Sequence, residues 1–136
     1  MNIYSKIDPT RILHIINRKS DIKLGRIELV EPGEFIQCAV LKNNQGKTFK
    51  PHKHNPQIRD ANYYIPQESW VVIAGLVQVS LYDTDDTLIH VDILEPGDVS
   101  ITLEGGHNYL FMSDDSIVYE YKTGPYLGQE MDKTFI

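Results

Sequence analysis

The stretch Lys47–Gly75, KTFKPHKHNPQIRDANYYIPQESWVVIAG, places two histidines one residue apart and a lone glutamate fourteen positions after the second. In an extended chain alternate side chains share a face, so His52 and His54 point the same way, about 7 Å apart, close enough to share one ion. Lys50 joins that face. In the run that follows, Glu68, Trp70, Val72 and Ala74 share a face whose apolar members mark it as inward. Glu68 then stands at the lip of an apolar interior, where a cation or hydrogen-bond donor must offset the desolvation of its carboxylate.

Working outward, short runs rich in Val, Ile, Tyr and Leu succeed one another from Arg26 onward. RIELV, EFIQCAVLK, KTFKPHKH, SWVVIAG, LVQVSLYD, LIHVDIL, DVSITL, NYLFMS and SIVYEYK read as strands. EPGE at 31–34, EPGD at 95–98, NNQG, DTDD and SDD supply the reversals between them. So many short strands with little helix require two facing sheets or a closed barrel, and a jelly roll is the simplest solution. One helix is expected in the N-terminal segment 1–25: Asp8 as cap, Pro9 at the first helical position, and Ile12, Ile15 and Ile16 on one face. Residues 26–136 are then a single β domain. The segment 55–66 reads as a long irregular connection, a kind that often carries function.

With 136 residues, 41% hydrophobic and 24% charged, the chain fits one ordinary globular domain. Its net charge of −6, without a basic cluster, argues against nucleic acid as a partner. No run of about 18 apolar residues is present, and MNIYSKIDPT lacks the features of a secretory leader, so no membrane partner and a cytoplasmic location are expected. The single cysteine, Cys38, lies in an apolar run and reads as a packing residue. Edge strands and the moderately aromatic surface make a homodimer plausible.

A third histidine, His107, follows Gly105 and Gly106 and enters another strand. It is the natural fourth ligand beside His52, His54 and Glu68. Imidazoles and a carboxylate with open positions suit one divalent ion, Fe, Mn, Zn, Ni or Cu. Tyr109 and Phe111 share the face of His107 as an aromatic wall for a small organic molecule. Lys50 and Tyr109 are the candidates for catalytic acid or base. Arg59, Asp60, Tyr63 and Tyr64 are placed at the mouth, with Arg59 gripping an anionic substrate and Tyr63 stacking on a sugar. His14 and His90 have no clustered partners.

These residues resemble the cupin superfamily. The first cupin motif is met by Gly46, five residues, His52 and His54, then Glu68, six residues and Gly75, with a thirteen-residue spacer between the halves. The second is met more loosely by Gly97, Gly105 and His107, with Leu103 in place of a proline and one residue fewer before the histidine. The resemblance implies a double-stranded β-helix holding a metal on His52, His54, Glu68 and His107. The ending VYEYKTGPYLGQEMDKTFI is similar to the tails of small WbuC-like cupins associated with lipopolysaccharide and O-antigen biosynthesis. That likeness implies a setting in surface-polysaccharide metabolism, while the three-histidine and glutamate set, with its metal as Lewis acid, leads us to expect isomerisation or epimerisation of a sugar or sugar nucleotide. Iron-dependent dioxygenation, metal-free isomerisation and a non-catalytic metal- or sugar-binding module stay open as alternatives.

Overall fold

The computed structural model describes residues 1–59 and 61–136, with Arg59 described by its backbone alone. Nine strands form where the apolar runs lie: β3 Gly25–Glu28, β4 Ile36–Asn43, β5 His52–His54, β8 Glu68–Ala74, β9 Val77–Tyr82, β10 Leu88–Leu94, β11 Val99–Thr102, β12 Gly106–Phe111 and β13 Ser116–Thr123. Five further strands join them, β1 Asn2–Tyr4, β2 Ile12–Ile15, β6 Gln57–Arg59, β7 Asn62–Tyr64 and β14 Lys133–Phe135, with a 3-10 turn at Lys19–Asp21 and the one-turn helix α1 Gln129–Asp132 before β14. The strands make two five-stranded sheets, β10-β9-β12-β5-β14 and β11-β8-β13-β4-β3, and two small hairpins, β1-β2 and β6-β7. Every pairing between named strands is antiparallel.

The N-terminal segment is not the expected helix. Asp8 closes a turn instead: its carboxylate accepts from the Thr10 amide (3.1 Å) and hydroxyl (2.7 Å), and Arg11 N–H donates to Asp8 O (3.0 Å). Pro9 suits the second position of such a turn as well as it suits a helix start. Ile12, His14 and Ile15 then pair with Tyr4, Ile3 and Asn2. Three isoleucines in five residues are stiff at χ1 and favour the pleated chain, which outweighs their shared helical face. Residues 55–66 likewise contain a hairpin, β6-β7, anchored by Tyr64 Oη donating to Gln57 Oε1 (2.8 Å) and Gly124 O (3.1 Å).

The inner face of the second sheet is built in rows. Val72, Val118, Leu41 and Arg26 are cross-strand neighbours; next come Ser100, Trp70, Glu120, Ala39 and Glu28; then Thr102, Glu68, Lys122 and Gln37. The first row is apolar apart from its edge, and packs with Val77, Val79 and Phe111 of the other sheet in the core. Apart from Glu28 at the edge, the later rows turn polar while staying buried, which is unusual for an interior face and points to a site.

Gly75 shows why a glycine must close β8. Its φ of +77° lies in the left-handed region, and a Cβ there would collide with the Ser116 side chain. Gly75→Ala is expected to cost roughly 2–4 kcal/mol, read as a lower thermal midpoint with an unchanged β-sheet spectrum. An unchanged midpoint would show that the turn relaxes freely.

Candidate metal centre

The pairing of β5 with β12 sets His52 opposite His107, and Glu68 faces them from β8 in the opposing sheet. His52, His54, Glu68 and His107 are all buried, and one ligand atom from each lies within 4.8 Å of the others. His52 Nδ1 donates to Lys50 O (3.0 Å), and His107 Nδ1 is hydrogen-bonded to the Thr102 hydroxyl (3.0 Å). The carbonyl fixes the His52 tautomer with its Nε2 lone pair turned to the cluster, and the Thr102 bond orients the His107 ring so that its Nε2 faces the same point. Neither Nε2 has a hydrogen-bond partner; His107 Nε2 stands 3.1 Å from Glu68 Oε1 without hydrogen-bond alignment. Buried acceptors left this way are costly, and a cation among them removes that cost.

Glu68 is held by its own network. Oε1 accepts from Trp70 Nε1 (3.0 Å) and Oε2 lies 3.1 Å from His54 Nε2. Burial alone would raise its pKa, but His107 and the contact with His54 hold the carboxyl well below the usual range. His54 has a second carboxylate behind it: Asp132 Oδ2 is 3.6 Å from Nδ1, an ion-pair rather than a hydrogen-bond separation. Burial opposes the charged imidazole, yet Asp132 and Glu68 lift its pKa to about 9. Burial, with His107 and Lys133, depresses that of His52 to about 4. These residues fit a divalent ion: three imidazoles, one ionised carboxylate and outer partners orienting each ring.

A pH dependence follows. A metal takes neutral imidazole, and at pH 7 the metal-free His54 carries a proton while His52 does not. Metal uptake at pH 7 is therefore expected to release about one proton, with affinity rising as pH increases towards about 9 and flattening above it. Calorimetry in two buffers of different ionisation enthalpy measures the release; none at pH 7 would place the proton elsewhere. For the metal-free protein, the raised His54 pKa stabilises the fold below about 6.5 and that contribution is lost as pH rises through about 9. His52 acts in the other window, destabilising as pH falls from about 6.5 through about 4.

The cluster opens on a cavity of about 590 Å³. Lys50 lines it, with its ammonium 5.6 Å from the Phe135 ring. Tyr109 also lines it, but stacks on Trp70 (4.0 Å, 5°) and donates to Ser100 Oγ (3.3 Å), and burial raises its pKa further above the ordinary phenol value. Its phenol is a proton donor rather than a base at neutral pH.

Two expected contacts are corrected. Phe111 is fully buried in the core against Phe49, because His107, Tyr109 and Phe111 step down the barrel and of the three only Tyr109 lines the cavity. Tyr63 is 79% exposed on β7, since Tyr64 is the hairpin residue that turns inward; Tyr63 does not line the cavity. The side chain of Arg59 and all of Asp60 lie outside the described residues.

The sequence reading did not assign roles to several residues gathered here. Arg26 binds both oxygens of Glu120 (2.9 and 2.7 Å), and Lys122 Nζ donates to Asp132 Oδ2 (2.7 Å). In SIVYEYK, the parity of Val118 already places Glu120 and Lys122 inward, a signal the flanking tyrosines obscure. The tail strand β14 pairs with β5, putting Lys133 opposite His54 and Phe135 opposite His52.

The two facing antiparallel sheets, with this cluster between them, are the double-stranded β-helix, or cupin, fold. No family model matches the chain, and no curated protein matches it. Among solved structures, it is similar to KdgF from Halomonas sp., at 19% identity over 72% of this chain and 76% of that one, TM-score 0.55. It is similar too to an uncharacterised conserved protein with a double-stranded β-helix domain from Klebsiella pneumoniae subsp. pneumoniae MGH 78578 (17%, 87% and 88%, 0.57). CapF, crystallised with the inhibitor 3-isopropenyl-tropolone, matches 97% of this chain at 16% identity and TM-score 0.66, though the match spans only 36% of the CapF chain. Among the described residues, no helix is long and apolar enough to cross a membrane.

Proposed function

We propose that the chain is a metal-dependent enzyme acting on a small sugar or sugar nucleotide in bacterial lipopolysaccharide or O-antigen biosynthesis, by isomerisation or epimerisation. The observation that carries the metal reading is the buried His52, His54, Glu68 and His107 cluster, with three imidazole nitrogens lacking hydrogen-bond partners, opening on the cavity through His52 and Glu68. The polysaccharide setting is supported by the likeness of the C-terminal tail to WbuC-like cupins. A divalent ion here would supply Lewis acidity, polarising a carbonyl or hydroxyl oxygen. His52, His54 and His107 would hold it, kept in register by Lys50 O, Asp132 and Thr102. Trp70 Nε1 keeps Glu68 Oε1 in place, and the Trp70–Tyr109 stack forms an apolar wall that sheds water from one side.

A second reading, a non-catalytic binding module, is favoured by one observation: the polar groups beside the cluster are already engaged, Tyr109 with Ser100 and Glu120 with Arg26. The experiment is solvent-deuterium incorporation into a panel of sugars and sugar nucleotides, with protein loaded in turn with Fe, Mn, Zn, Ni and Cu. Exchange at carbon with a Lewis-acidic ion, without oxygen uptake, is the expected result. Oxygen consumption only with iron would make it a dioxygenase; unaltered ligand recovered with every metal would make it a binding module.

A further inference from the structure

Four cationic side chains line the cavity: Arg26, Lys50, Lys122 and Lys133. They are not equivalent. Arg26 is occupied, its guanidinium shared between Glu120 and Glu28. Lys50 is exposed at the rim over Phe135. Lys122 is different: its side chain is only 8% exposed, and its cross-strand neighbour on β8 is Glu68. An ammonium carries three N–H donors. One goes to Asp132 Oδ2; Tyr126 lies 4.7 Å away as a ring face, and no other acceptor reaches Nζ among the described residues.

Asp132 does not cancel this charge fully, because its single carboxylate also faces His54. A buried ammonium with unused donors is costly unless something takes them. Lys133, beside His54 on β14, lines the same wall with no ion-pair partner among the described residues. A divalent ion on the cluster would add positive charge to a cavity whose remaining carboxylates, Glu28 and Glu120, are both tied to Arg26.

The geometry points to Lys122 as the oxyanion anchor of this cavity: the ligand is a monosaccharide-sized molecule carrying a carboxylate or phosphate, its oxyanion on Lys122 Nζ, with Lys133 and Lys50 along its approach. This rests on the metal reading above and narrows it to an anionic sugar. It also moves the seat of anion recognition from Arg59 to a residue held between two strands and the tail.

The test is calorimetric titration of Co(II)-loaded protein with glucuronate, glucose 6-phosphate and glucose, which differ only at C6. Tighter binding of one anion than of glucose, by about tenfold or more, is expected, and which anion wins identifies carboxylate or phosphate. Lys122→Met should weaken that anion about 10- to 100-fold while leaving glucose unchanged, and Lys122→Arg should restore most of the loss. Lys122→Gln, keeping one donor for Asp132, serves where the methionine variant fails to fold. Equal affinity for anions and glucose, or anion binding unmoved by Lys122→Met or Lys122→Gln, overturns the assignment. Failure to take up Co(II) would instead strike the metal reading, and the same titrations on metal-free protein would still read Lys122.

Discussion

Glu68→Ala is expected to leave the protein without metal. Glu68 is the one anionic ligand of the cluster, and it is fully buried with both oxygens engaged. Its removal takes away the charge that offsets a divalent ion and leaves Trp70 Nε1 and His54 Nε2 without their acceptor. Elemental analysis should give about one ion per chain in the wild type and about a tenth or less in the variant. Thermal stability supplies the second reading. Metal in hundredfold to thousandfold excess over its dissociation constant stabilises the fold by about 3–4 kcal/mol, which raises the midpoint by roughly 10 °C or more in a chain of this size. The variant should show no such rise. Glu68→Gln keeps the volume and one acceptor, and should fold better than the alanine variant while binding metal nearly as poorly. Full occupancy in Glu68→Ala would remove Glu68 from the ligand set, and a wild type refusing every metal would remove the centre.

Asp132→Ala should be nearly as damaging, although Asp132 is no ligand. It is 1% exposed, accepts from Lys122 Nζ at 2.7 Å, and faces His54 Nδ1 at 3.6 Å. Truncating it strands a buried ammonium, a change that costs about 3–5 kcal/mol when one partner of a buried pair is lost. It also frees the His54 ring, and loss of such an outer partner weakens metal about 10- to 100-fold. Denaturant unfolding of the metal-free form isolates the first effect; competition with a chelator isolates the second. Asp132→Asn, which can still accept from Lys122, should recover part of the stability. Unchanged stability and unchanged metal affinity in the alanine variant would mean that the tail carboxylate merely fills space.

The four cluster residues were legible because period-2 alternation is a local property: His52 and His54 share a parity, and Glu68 shares one with Trp70 and Val72. The nine strands were legible for the same reason. What the alternation does not carry is which strand lies beside which. Lys122 reaches Asp132 and Arg26 reaches Glu120 only through tertiary pairing, and the latter two lie 94 residues apart. The segment 1–25 misled because Asp-Pro opens turns and helices alike, and the hydrogen bonds of Thr10 to Asp8 decided it. Phe111 had the right parity and the wrong depth, since parity gives the face of a strand and not the distance along the barrel. The tail strand β14 is three residues long, too short to show a period at all.

That tail strand has a consequence for how the protein is made. β5 carries two of the cluster histidines, yet one of its edges is closed only by Lys133–Phe135, nearly eighty residues later in the chain. During synthesis the His52–His54 segment leaves the ribosome well before its partner strand and waits with an open edge, and the carboxylate behind His54 follows only at Asp132. Loops that long close slowly, so the ligands can be within reach of one another well before they are held in place. An ion held by the full cluster would therefore be captured tightly only after β14 has docked, and before that the histidines of the nascent chain would be open to whichever ion is most abundant.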